Sequence, residues 1–217
     1  NFLSGFICEY LSFDKSLEGF KERLININTG LLVRDMLMRH CLVKVSKIFN
    51  EHEINFVILK GMAMNHIGIY EKNIRFCRDI DILINRGQIE LAYSLLVDLG
   101  FEYFDKKTKN CGKYFYDMHH LPPLINDEGV IIELHKRVTK KSIFKTCPIT
   151  KTLLDKKINI DGIYVPCIKD ITTHVIYHGM LHDKSKQDPQ FLYDLLKLKN
   201  YDKNFKENLK ENLSKIG

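Results

Sequence analysis

Two carboxylates one residue apart inside an apolar run constrain this chain more than any other feature. The run is Arg78-Asp79-Ile80-Asp81-Ile82-Leu83-Ile84, and its branched aliphatic residues read as a buried β-strand. Side chains alternate between the two faces of a strand, so Asp79 and Asp81 share one face while Ile80 and Ile82 point the other way, into a core. Two residues along a strand span roughly 6.5 Å. Carboxylates at that spacing converge on one hard cation, or on a pair of ions about 3.5–4 Å apart. An unpaired buried carboxylate is costly, so the fold has to supply either cations or a solvated strand end. Pairing with Arg75 and Arg78 is the plain alternative to a metal.

Upstream, Asn55-Phe56-Val57-Ile58-Leu59 is a second short apolar strand. Lys60-Gly61 follows at once, and 62–69 reads as a helix. A strand, a glycine turn and a helix N-terminus form an anion-binding corner, where backbone N–H groups point outward and glycine lets a phosphate approach. Lys60 would add a point charge. The preceding helix is expected to start at a cap, Asn28 or Thr29, and to run to about His52. Its core stripe is Leu32, Val33, Met36, Leu37, Cys41, Val45, Ile48 and Phe49. Residues 2–25 carry apolar positions at helical spacing and read as one or two short helices.

Downstream, 70–77 is a polar loop holding Arg75, and 88–99 is a helix closed by Gly100. Extended structure resumes at 101–104, a basic solvated loop covers 106–113, and strands follow at 114–120, 124–125 and 130–135, with a turn at 126–129. In Ile131-Ile132-Glu133-Leu134-His135, alternation puts Ile131, Glu133 and His135 on one face. Glu133 is thus a third acid embedded in apolar β-pattern; an edge-strand glutamate facing water is its plain alternative. The sheet pattern stops near 140–150. A small hairpin over 156–166 turns at Asp161-Gly162, and helices follow at about 168–182, 188–200 and 203–215. The chain is therefore divided into a core with N-terminal helices, residues 1–142, and a mainly helical C-terminal domain with a small hairpin, residues 143–217.

Composition narrows the function classes. The six cysteines are never closer than 20 residues, which excludes a Cys-x-x-Cys zinc or redox pair, and dispersed cysteines fit a reducing cytosol. The N-terminus lacks the basic start of a signal peptide, no apolar run approaches the ~20 residues of a membrane helix, and a cytoplasmic protein without a membrane partner is expected. With no initiator Met, the sequence is expected to begin inside a longer product. A net charge of +6 favours anionic partners only weakly, because Lys-, Ile- and Asn-rich usage gives the same balance.

Taken together, these residues resemble the polymerase-beta-like nucleotidyltransferase superfamily, and most closely its branch labelled uncharacterised nucleotidyltransferase. The counterparts are Leu59-Lys60-Gly61, Tyr70, Arg75, Asp79-Ile80-Asp81-Ile82-Leu83, Glu133-Leu134-His135, then His174, His178, His182 and Asp194-Leu195. The resemblance spans roughly residues 30–200. The superfamily turn is usually Gly-Gly or Gly-Ser; here Lys60-Gly61-Met62 lacks the small hydroxyl donor, a departure the branch shares.

The resemblance implies an α+β fold with a mixed sheet, backed by the 28–52 and 88–99 helices, and a helical C-terminal part over its open face. It implies a metal-dependent transfer of a nucleoside monophosphate from a nucleoside triphosphate to an acceptor hydroxyl. Asp79, Asp81 and Glu133 would be catalytic and would hold Mg²⁺ or Mn²⁺, and Glu133 could take the acceptor's proton. Lys60, Gly61 and Arg75 would contact the triphosphate, and His135 would orient Glu133 or serve as a structural histidine. The acceptor stays open: a small molecule, a protein side chain or RNA, although no Arg/aromatic stacking pattern for RNA is present. Oligomeric state is equally open. Two rivals stand beside this reading. One is a non-catalytic binding module, or a toxin–antitoxin or biosynthetic-complex component. The other is a His-Asp metal phosphohydrolase using His178, His182, Asp183 and Asp194, with His174, His178 and His182 on one helix face. A zinc peptidase fails, because His178-Gly-Met-Leu-His182 lacks the glutamate base.

Overall fold

The computed structural model describes residues 18–70, 75–105, 118–138, 148–179 and 189–214. The first element is one long helix, α1 (Glu18–Glu51). No break or cap occurs at Asn28 or Thr29, because the Thr29 hydroxyl donates back to the Ile25 carbonyl at 2.9 Å within the helix. The expected start there is corrected to a continuous helix; the expected helices before residue 18 lie outside the described residues. The core stripe also shifts. Met38, Cys41, Leu42, Val45 and Phe49 are buried, whereas Val33 and Met36 are 52% and 68% exposed. Only the part of α1 from Met38 onwards places this stripe against the sheet.

Two strands and a helix follow: β1 (Phe56–Ile58), α2 (Lys60–Ile67) and β2 (Ile80–Ile84). A 3-10 turn (Arg86–Gln88) leads into α3 (Ile89–Asp98), with Gly100 at φ 90° behind it as expected. Short strands β3 (Glu102–Tyr103) and β4 (Leu124–Ile125) precede β5 (Ile131–His135). These make a five-stranded mixed sheet in the order β1-β2-β5-β4-β3. β1 and β2 are antiparallel neighbours, and β2 and β5 are parallel, with Asp81 opposite Glu133 and Leu83 opposite His135. The expected 114–120 strand lies largely outside the described residues; His120 makes an isolated bridge to His135.

Alternation then sorts the sheet faces. Ile80, Ile82 and Ile84 join α1 and α3 in the main core. Leu83, on the face shared with Asp81, packs with Val57, Leu59, Val138 and Leu153. Leu153 belongs to α4 (Pro148–Asp155), which precedes the hairpin β6 (Ile158–Ile160) and β7 (Ile163–Val165). The hairpin turns on Asp161 and Gly162, at φ 51° and 82°, the left-handed pair that a two-residue turn of this kind demands. Ile163 and Val165 enter the main core, and Lys157 reaches the Asn55 side chain at 2.6 Å.

Three helices complete the chain: α5 (Ile168–Tyr177), α6 (Pro189–Tyr201) and α7 (Phe205–Ser214). Ile171 and Val175 of α5 pack with Leu198 of α6 and with Met64, Ile69 and Tyr70 beside α2. The C-terminal helices thereby cover α2 and reach the acid-bearing end of the sheet.

Candidate active site

Lys60 is where the sheet meets α2. Its φ of 50° lies in the left-handed region, which costs a residue with a side chain of order 1 kcal/mol. The expected glycine turn is therefore corrected: Gly61 sits inside the first turn of α2, and the unusual backbone belongs to Lys60. That backbone aims the ammonium at Asp81 Oδ1, 2.8 Å away. Asp81 is 2% exposed, so an unpaired charge there would be untenable. The same oxygen accepts from His135 Nε2 at 2.7 Å, and His135 Nε2 lies 3.5 Å from Glu133 Oε2. One ligand atom from each of Asp81, Glu133 and His135 falls within 4.8 Å of the others.

The electrostatics follow from this arrangement. Burial raises the Asp81 carboxyl, but Lys60 and His135 outweigh it and hold the group well below the usual carboxylate range. Burial likewise raises Glu133, and the His135 hydrogen bond reverses that to a net lowering. His135 is raised despite its burial, because both carboxylates favour its protonated ring. Among the described residues, no hydrogen bond or ion pair engages Asp79. Burial first, and then the Asp81 charge, push it up to about 6 against the opposing pull of Lys60.

All of these groups except Asp81 line one open cavity of about 230 Å³. Lys60, Asp79, Glu133 and His135 form one side. His119 and His120 are brought in because their segment runs antiparallel to β5, with Lys136 N–H donating to the His119 carbonyl at 2.8 Å. His174 of α5 and His178, just after it, complete the lining. The i, i+4 pattern of these two is visible in the sequence; their place in one cavity with Glu133 is not.

Two expected site residues are placed differently. Arg75 makes a bidentate pair with Asp194, Nε to Oδ1 at 2.9 Å and Nη2 to Oδ2 at 2.8 Å. Tyr70 and Gln190 donate to the same carboxylate. Gly61 lies under that guanidinium: a Cβ built there would fall 1.7 Å from Arg75 Nη1. The space beside Gly61 holds an arginine where a phosphate was expected. Asp194 is correspondingly consumed by Arg75 and Tyr70, which removes it from the phosphohydrolase ligand set; His182 and Asp183 lie outside the described residues.

The donor set fits a divalent ion in kind, with two carboxylates and one imidazole within reach of a common point. The Lys60 ammonium marks where positive charge is wanted. Among the described residues, no helix is long and apolar enough to cross a membrane.

The model of the uncharacterised nucleotidyltransferase family matches residues 9–217. A search of curated proteins found no match. Among solved structures, an antigenic nucleotidyltransferase-like protein from Paracoccidioides brasiliensis is similar, at 15% identity and a TM-score of 0.49, with 82% of this chain and 88% of that chain covered.

Proposed function

We propose, since the chain belongs to the uncharacterised nucleotidyltransferase family, that it is a cytoplasmic metal-dependent nucleotidyltransferase, moving a nucleoside monophosphate from a nucleoside triphosphate to an acceptor hydroxyl. The observation that carries the reading is the pairing of Asp81 with Glu133 across parallel strands, beside a cavity that Glu133 lines together with Asp79 and Lys60. Phosphoryl-type transfer is chiefly positioning and charge neutralisation, so a protein needs few parts to perform it.

Asp79, Asp81 and Glu133 would hold Mg²⁺ or Mn²⁺, with His135 beside them. When bound, such an ion supplies charge neutralisation for the triphosphate and activation of the hydroxyl. Lys60 already contacts Asp81 Oδ1; on nucleotide binding its ammonium would turn from Asp81 to a phosphate oxygen. His135 would keep the Asp81 and Glu133 carboxylates aligned by its hydrogen bonds. Arg75 and Gly61 would act from behind, fixing the first turn of α2 against α6.

Calorimetry with a triphosphate and Mg²⁺ or Mn²⁺ tests this reading. Metal-dependent binding is expected in the unaltered chain and its loss in the Asp79→Asn/Asp81→Asn double variant. Unchanged binding in that variant would remove the aspartates from the site.

A further inference from the structure

The cavity has two walls of different chemistry. The acidic wall is the one described above. The other part of the lining comes from His174 of α5 and from His178, the residue that follows this helix, one turn apart with ring centroids separated by 6.3 Å. Their neighbours on α5 are committed elsewhere: Ile171 and Val175 to the core, and the Thr172 and Thr173 hydroxyls to carbonyls four residues back. His174 is only 3% exposed, yet its ring lines the cavity and hydrogen-bonds none of the described residues. A largely buried ring with no hydrogen-bond partner among the described residues is left to water or to a ligand entering the cavity from the open side.

We propose that this wall is the acceptor subsite, and that the His174 imidazole takes the proton from the attacking hydroxyl. The inference rests on the nucleotidyltransferase reading. The acceptor oxygen forms a bond to the α-phosphorus of the triphosphate. The bond from that phosphorus to the bridging oxygen breaks, and pyrophosphate leaves with the electron pair. The hydroxyl proton passes to a ring nitrogen of His174 and from there to water.

Two observations favour His174 over Asp81 and Glu133, and a third bears on the acceptor. Asp81 already accepts from both Lys60 and His135, and Glu133 Oε2 lies 3.5 Å from the same His135 nitrogen, so both carboxylates are engaged within the protein. His174, by contrast, is held well below the usual imidazole range, by burial first and then by His178 and Lys60, with Asp81 opposing and His135 adding. The ring is thus neutral across neutral pH, and its unprotonated nitrogen can accept the hydroxyl's hydrogen bond. Finally, Val138 is the single apolar side chain among the described lining residues. The subsite therefore suits a polar, polyhydroxylated acceptor rather than an aromatic base seeking a stacking platform.

The test uses the full chain, an α,β-methylene triphosphate with Mn²⁺ to read donor binding, and an ordinary triphosphate with water or glycerol as the attacking hydroxyl. In His174→Ala, donor affinity is expected to stay within about threefold while pyrophosphate release falls about 100-fold or more. Added imidazole should restore part of the rate, which it would not do for a packing defect. His174→Asn, which preserves volume and polarity, covers the case in which the alanine variant misfolds. Undiminished pyrophosphate release in a folded variant, loss of donor binding, or failure of imidazole to rescue overturns the subsite. Donor binding by the unaltered chain without pyrophosphate release in water or glycerol overturns it too. An unaltered chain that binds no analogue refutes the nucleotidyltransferase reading itself, before any variant is needed.

Discussion

Gly61→Ala should destabilise the protein by way of a residue fourteen positions downstream. A Cβ at 61 would lie 1.7 Å from Arg75 Nη1 and 2.6 Å from both Arg75 Cζ and Cys77 Sγ. The guanidinium has to move, and both of its bonds to Asp194 break with it. Breaking one side of a buried ion pair costs about 3–5 kcal/mol. Asp194 keeps Tyr70 and the Gln190 amide, which holds the loss near the lower end. Replacing a helical glycine by alanine returns up to about 1 kcal/mol. The net expectation is about 2–4 kcal/mol, or a melting temperature lower by about 4–16 °C for a chain of this length. Thermal denaturation followed by circular dichroism reads it directly. A double-mutant cycle with Arg75→Ala isolates the cause: with the arginine gone, the alanine at 61 should cost less by more than about 1 kcal/mol. A Gly61→Ala protein melting within about 2 °C of the unaltered chain, or strictly additive changes in the cycle, would refute the argument.

Two further outcomes follow from the acids. The fold favours the protonated form of Asp79, which is pushed up to about 6, so its stabilising contribution is present below the ordinary carboxylate range and is lost as pH rises through about 6. Asp79→Asn should therefore raise the melting temperature of the metal-free protein near about pH 7.5 and change little near about pH 4; identical melting at the higher pH counts against it. Glu133→Gln keeps shape and removes charge, so it should fold normally, retain much of the triphosphate affinity and lose pyrophosphate release by about 100-fold or more. Release at the unaltered rate would exclude Glu133 from the chemistry.

What the sequence made legible was local. The Ile80–Ile84 strand could be read because a period of two assigns each residue a face, although Asp79 falls in the bend before it, and the β1-to-β2 neighbourhood followed from two short apolar runs. The Asp161-Gly162 hairpin announced itself through turn chemistry. The Asn28/Thr29 cap misled because hydroxyl and amide side chains fit a helix interior as well as its start once packing or length carries the helix through. The Arg75–Asp194 pair was invisible as such: both residues stood among the family counterparts, but no local pattern joins positions 119 residues apart. For the same reason Gly61 was read as making room for a ligand, when the occupant is another part of the chain. His174 and His178 were noticed, but the strand they would face depended on how α5 docks, which periodicity does not encode.

The distance along the chain between Arg75 and Asp194 also sets an order of events during synthesis. His135 emerges 54 residues after Asp81, whereas Asp194 emerges 119 residues after Arg75. At about 5–20 residues per second, the arginine waits about 6–24 s for its partner. Asp79 and Asp81 follow Arg75 within six residues and Glu133 within 58, so over the last 61 residues of that interval the nascent chain carries all three acids while the guanidinium that will cover Gly61 awaits its partner. The acids of the cavity are thus made before α5 exists, and Asp194, midway along α6, later ties that helix to the arginine over Gly61.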